Sequence, residues 1–188
     1  MIADREGKVS RIVSDCLAVS GGWNPALHLA CHMNGRPDWR EDLAAFLRTL
    51  PAEVPLTWIG LGSNLLVRDG GIRGVVICTQ GAFTRVERLS ATGVHCDAGV
   101  PCARLARQCA AWGLGGAEFF AGIPGSFGGA LAMNAGAWGG ETWTLVARVE
   151  TVDRGGRLHR RERGEFQVGY RHVGFPAAGE WFLSAELQ

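Results

Sequence analysis

The chain has 188 residues, 47% of them hydrophobic and 20% charged, with a formal net charge of +1. That length supports one domain or two small ones around a real core. The balanced charge removes any broad electrostatic case for nucleic acid or a membrane surface as partner.

Residues 1–36 mix charges with Ile12 and Val13 without a sustained period, and Ser20-Gly-Gly-Trp-Asn-Pro25 is a turn cluster, so an irregular leader is expected there. No basic region followed by an apolar core opens the chain, so no signal peptide is expected. No apolar run approaches the roughly 18 residues of a membrane span. His28, Cys31 and His32 lie close together, but a second ligand pair is missing and no metal site is expected. The six cysteines include no C-x-x-C pair. They are read as buried, reduced thiols of a cytoplasmic protein.

Asp38 and Glu41 can cap a helix in which Leu43, Phe46, Leu47 and Leu50 share one face, and Pro51 stops it. Residues 55–60 read as a buried strand running into a glycine loop, Gly60-Leu-Gly-Ser-Asn64. This loop is neither G-x-G-x-x-G nor a P-loop. Ser63 and Asn64 are candidate phosphate donors; equally, Asn64 is suited to fixing the turn. Asp69-Gly-Gly71 is a turn and residues 74–79 a strand. Two strands, 85–89 and 93–98, follow. Pro101 then opens a helix with Cys102, Leu105, Cys109 and Trp112 on one face and Gly113 at its end.

The stretch from Gly122 to Gly136 crowds four glycines, a proline and a serine into its first eight residues. Glycine permits positive φ and close approach to main-chain N–H groups, and successive N–H groups make an anion-binding concavity. A helix starting near Ser126 or Phe127 adds a partial positive charge. Two readings fit: a cradle for a dinucleotide's phosphates, or a tight turn between packed elements. Glycine supplies 28 of the 188 residues, about twice the usual share of roughly 7%, and the second loop at 60–64 favours the cradle. Further on, residues 145–153 and 157–161 read as a hairpin about Arg154-Gly-Gly156, and 181–187 as a final strand.

Three motifs stand in order: G-x-G-S-N-L-L-V-x-D-G-G with G-V-V-I, then E-F-x-A-G-I-P-G-S-x-G-G-A-x-x-M-N-A-G-A, then F-x-V-G-Y-R-H. Together they closely resemble the bacterial UDP-N-acetylenolpyruvoylglucosamine reductases over about residues 38–188. The resemblance implies an α+β, two-lobed FAD-binding domain of the vanillyl-alcohol-oxidase (PCMH) type, with FAD held non-covalently and NADPH as reductant. The small-molecule substrate it implies is a nucleotide-sugar. The expected division is a divergent or poorly ordered segment at 1–36, a first lobe at 37–73 and a second at 74–188.

By position, the resemblance assigns Gly60, Gly62, Ser63, Asn64 and Leu65 of the first loop to the cofactor. In the second loop it assigns Ile123, Pro124, Gly125, Ser126, Gly128, Gly129, Ala130, Asn134 and Ala135. Arg171 matches a cation that stabilises charge on the substrate carboxylate, and Tyr170 a substrate or orientation contact. His172 invites a general-base role, but the family does not use that position, and Glu118 is read as a structural carboxylate.

Two departures accompany the resemblance. The family continues beyond the position of Gln188 into a substrate-binding domain with a proton-donating serine, and further to an active-site glutamate. A family fragment, with the third domain absent and turnover lost, is therefore expected. The family's Thr-Gly-Gly in its first strand region has only Ser20-Gly21-Gly22 as an echo. A non-catalytic flavin-binding remnant, another FAD oxidoreductase of the same fold, and a nucleotide-binding module without redox chemistry are the competing readings.

Overall fold

The computed structural model describes residues 39–188 and, before them, the short segments 2–3, 9–10 and 17–20. The cluster of His28, Cys31 and His32, the capping role expected of Asp38, and the thiols of Cys16 and Cys31 lie outside the described residues.

Strands β1 (Ile2–Ala3) and β2 (Val9–Ser10) pair with each other, and β3 is Leu17–Ser20. The segment expected to be irregular thus contributes strands. Four residues are too few to show an alternating pattern in the sequence, and what reveals β3 is its distant partner. Helix α1 (Trp39–Thr49) buries Leu43, Phe46 and Leu47, at the i, i+3, i+4 spacing of one face. Strand β4 (Leu56–Ile59) runs parallel to β5 (Gly74–Cys78), and β3 adds antiparallel on β5's other side. A parallel pair needs a crossover, and residues 60–73, with the first glycine loop, provide it. The expected division between 73 and 74 falls between β4 and β5, neighbours in this one sheet.

The larger sheet takes β6 (Val86–Arg88), β7 (Val94–Asp97), β10 (Val146–Asp153), β11 (Leu158–Glu162) and β14 (Glu180–Leu187) in the order β11-β10-β14-β7-β6, antiparallel throughout. Helix α2 (Cys102–Ala111) follows Pro101 and ends at Gly113, whose φ is +70°. Its buried Leu105 meets Phe120, Phe127, Leu131 and Trp143 in the main core over this sheet. Each fully buried side chain of this size is worth about 1.5–3 kcal/mol. A second core joins α1 and β5 to Val152 and Leu183 of the large sheet.

Arg40 pins α1 to the large sheet, donating from Nη2 to Asp97 at 2.8 Å and from Nε to Glu150 at 2.5 Å. Asp97 also takes His95 Nε2 at 2.9 Å and the Arg85 N–H at 3.0 Å. Burial pushes its carboxyl upward, but these partners together hold it below the ordinary carboxylate value. Among the described residues Cys96, Cys102 and Cys109 are free thiols and buried, Cys78 is buried as well, and burial pushes the Cys102 thiol up to about 12. Among the described residues no helix is long and apolar enough to cross a membrane, and no group of three or more His, Cys, Asp or Glu is placed to hold a metal ion.

Candidate functional site

The second glycine loop is anchored through its backbone. Cys102 N–H donates to Gly125 O at 2.9 Å, Phe127 N–H to Val100 O at 2.7 Å and Gly128 N–H to Ala98 O at 2.8 Å. Gly128 tolerates no side chain, since a Cβ there would stand 2.8 Å from Ala98 Cβ and 3.1 Å from its carbonyl oxygen. Ser126, 4% exposed, precedes helix α3 (Phe127–Met133), which ends at Asn134 in the left-handed conformation, φ 41°. Phe127 and Gly128 commit their N–H groups in this way, whereas among the described residues those of Gly125, Ser126 and Gly129 make no such main-chain bond.

The first loop is held by side chains. Ser63 Oγ donates to Pro124 O at 2.8 Å, and Asn64 Nδ2 donates to the same oxygen at 2.6 Å and to Ser63 Oγ at 3.1 Å. These are the donors the sequence offers to a phosphate; here the neighbouring carbonyl takes them. Gly62 has φ +71°, and Leu65 N–H turns back to Gly62 O at 3.2 Å. At Gly60 a Cβ would fall 1.9 Å from Ser126 Oγ. The two loops therefore touch at both ends of the first one, and only glycine at 60 permits it.

Beside them lies a groove of about 580 Å³. Its walls are Gly122–Ser126, the exposed side of α3, the hairpin of β8 (Gly136–Ala137) and β9 (Gly140–Glu141), and the turn at Tyr170 and Arg171. Asn64, Ile123, Pro124, Gly125 and Ser126 line it, as do Gly129, Ala130, Asn134 and Ala135. Gly60, Gly62, Ser63, Leu65 and Gly128 do not. Gly60 and Gly128 instead line a neighbouring cavity of about 260 Å³, where Trp58 stacks on Trp181 at 5.3 Å.

Arg171 sits at the tip of a hairpin between β12 (Gln167–Gly169) and β13 (His172–Gly174), with φ 51°. It makes no ion pair among the described residues, so its charge is available to the groove. Tyr170 beside it is 87% exposed. His172 is exposed at the start of β13, and Glu118 accepts the Gly116 N–H at 2.7 Å, a structural bond.

Asn134 differs most from its sequence assignment as a cofactor contact. Its side chain is spent on the protein: Nδ2 donates to Glu141 Oε2 at 3.0 Å and Gly169 O at 3.2 Å, and Oδ1 accepts Trp143 N–H at 3.1 Å. Sequence reasoning also missed Met133, Trp138 and Glu141. Met133 and Glu141 line the groove, and Trp138, 79% exposed, lays its ring against Gly122. The glycine pair after Trp138 was the available signal for a turn that displays an aromatic side chain.

The FAD binding domain family matches residues 36–161. The UDP-N-acetylenolpyruvoylglucosamine reductase of Alkalilimnicola ehrlichii is 63% identical over 152 residues, covering 81% of this chain and 50% of that protein. The crystal structure of UDP-N-acetylenolpyruvylglucosamine reductase from Thermus caldophilus matches with a TM-score of 0.65 at 31% identity, over 79% of this chain and 52% of that one. Glucooligosaccharide oxidase from Acremonium strictum matches with a TM-score of 0.56 at 14% identity, over 81% of this chain and 34% of that one, a likeness of fold. The chain spans about half the length of the curated relatives it matches.

Proposed function

We propose, for a chain that belongs to the FAD binding domain family and folds as an α+β domain of the vanillyl-alcohol-oxidase type, the flavin-binding part in the NADPH-driven reduction of UDP-N-acetylenolpyruvoylglucosamine to UDP-N-acetylmuramate. The observation that carries this reading is the meeting of two glycine loops beside one groove whose rim holds an arginine with no ion pair among the described residues.

The residues fit the cofactor. Gly125, Ser126 and Gly129 offer main-chain N–H groups to a diphosphate at the start of α3. Ile123, Met133 and Ala135 give the groove the apolar surface that a ring system requires. When bound, FAD would supply hydride transfer from NADPH to the enolpyruvyl double bond, with the proton that completes the reduction drawn ultimately from water. Arg171 has the task of stabilising negative charge that builds on the substrate carboxylate, for which a planar, two-pronged guanidinium is well shaped. Tyr170 orients the substrate beside it. Stabilisation of this kind gains most when the cation is held in place before the reaction.

The test is NADPH oxidation by the purified, FAD-loaded chain with and without the enolpyruvyl nucleotide. Oxidation that depends on the nucleotide, and falls by about 10²-fold or more in Arg171→Ala, supports the reading. FAD binding without nucleotide-dependent oxidation selects a flavin-binding module. A different substrate supporting turnover selects another oxidoreductase of this fold.

A further inference from the structure

Asn134 is 4% exposed and stands where α3 ends, between two hairpins. One hairpin, β8–β9, carries Glu141; the other, β12–β13, carries Tyr170 and Arg171. Its single amide group bonds both: one N–H to the Glu141 carboxylate, the other to the Gly169 carbonyl. Its oxygen takes the Trp143 N–H, which fixes the orientation of the amide. Both donors and the acceptor are thus used inside the protein, and no donor is left for a ligand.

The second hairpin needs such a tether. Its root is held by Phe166 and Val173 in the core, but outward from there Val168 is 37% and Tyr170 87% exposed. Gly169 is the residue paired with His172 to close the tip. A bond to its carbonyl therefore acts one residue from Tyr170 and two from Arg171.

We propose that Asn134 is a positioning residue: one buried amide that clasps the two hairpins on the groove rim and so holds the Arg171 guanidinium in register with the glycine loop. The clasp follows from the bonds alone; its purpose rests on the reading of Arg171 given above. Asparagine suits the place twice. It accepts the left-handed backbone more readily than most residues, and it offers two donors where aspartate offers none.

The experiment uses the full chain with two variants, Asn134→Gly and Asn134→Asp. Glycine keeps the left-handed backbone and removes the amide. Aspartate keeps the shape but loses the donors and sets a carboxylate against Glu141. Amide hydrogen exchange is read first without flavin. Both variants are expected to speed exchange at 169–172 and 140–142 by more than about tenfold, with β10 and β14 within about twofold of the parent. Where the FAD-loaded parent oxidises NADPH in a nucleotide-dependent way, kcat falls in the variants while KM for NADPH stays within about twofold. Parent-like protection in Asn134→Gly would mean that only the backbone conformation matters, and overturns the proposal. So does equal loosening of β10 and β14, which marks a general stability residue. A fall in FAD affinity with the hairpin exchange unchanged restores direct cofactor contact and overturns it as well. A parent that binds no FAD overturns the functional reading instead, and the flavin-free exchange data keep the two failures apart.

Discussion

The two glycine loops look alike in sequence and are built differently. The second is held by three main-chain hydrogen bonds to Ala98, Val100 and Cys102. The first is exposed, and Ser63 and Asn64 reach across from it to a single oxygen, Pro124 O. One is frame, the other a strap laid on it. Glycine also serves different ends: at 128 it lets two backbones approach, at 62 it supplies positive φ in open space. An anion held between them as proposed would meet one wall set by the core and one that can adjust.

Four substitutions test that contrast. The frame depends on the neighbourhood of Asp97, the residue before Ala98. Asp97→Ala removes partners from Arg40, His95 and the Arg85 N–H and is expected to cost about 3 kcal/mol, read by urea unfolding. Its carboxyl is held below the ordinary value when folded. Its stabilisation is therefore complete above about pH 4 and is lost as pH falls through the lower folded value. The acid-side fall in stability should flatten in the variant, and an unchanged pH profile removes Asp97 from the account.

Gly128→Ala drives a methyl against Ala98 Cβ and O and should cost about 2 kcal/mol. Gly62→Ala meets no atom within 4 Å but keeps φ +71°; its strain of about 1 kcal/mol should appear mainly as lost local protection around 60–65. Ser63→Ala deletes one exposed bond to Pro124 O and should lower stability by about 0.5 kcal/mol. Equal costs for Gly128→Ala and Gly62→Ala in an unfolding experiment would erase the distinction between frame and strap.

What the sequence made legible was local. The stripe Leu43, Phe46, Leu47 named α1, Pro101 and Gly113 bracketed α2, and the glycines marked both loops. Illegible features depend on partners far away in the chain. Leu17–Ser20 is a strand because β5 offers an edge, and 74–78 sits beside 56–59 because a crossover returns it there. Asn134 was named as a site residue, yet its bonds run to Glu141, Trp143 and Gly169. Ser63 and Asn64 were read as donors to a phosphate, and in the fold both donate to Pro124 O. Composition can supply a donor; it cannot say what will stand opposite.

The central claim is that the joined loops hold a diphosphate. Its most direct test is flavin fluorescence titration of the purified chain with FAD and with riboflavin, and displacement of FAD by ADP. The account predicts that FAD binds, that ADP displaces it, and that riboflavin, which lacks the diphosphate, binds at least about tenfold more weakly. Equal affinity for FAD and riboflavin, or no displacement by ADP, would contradict it.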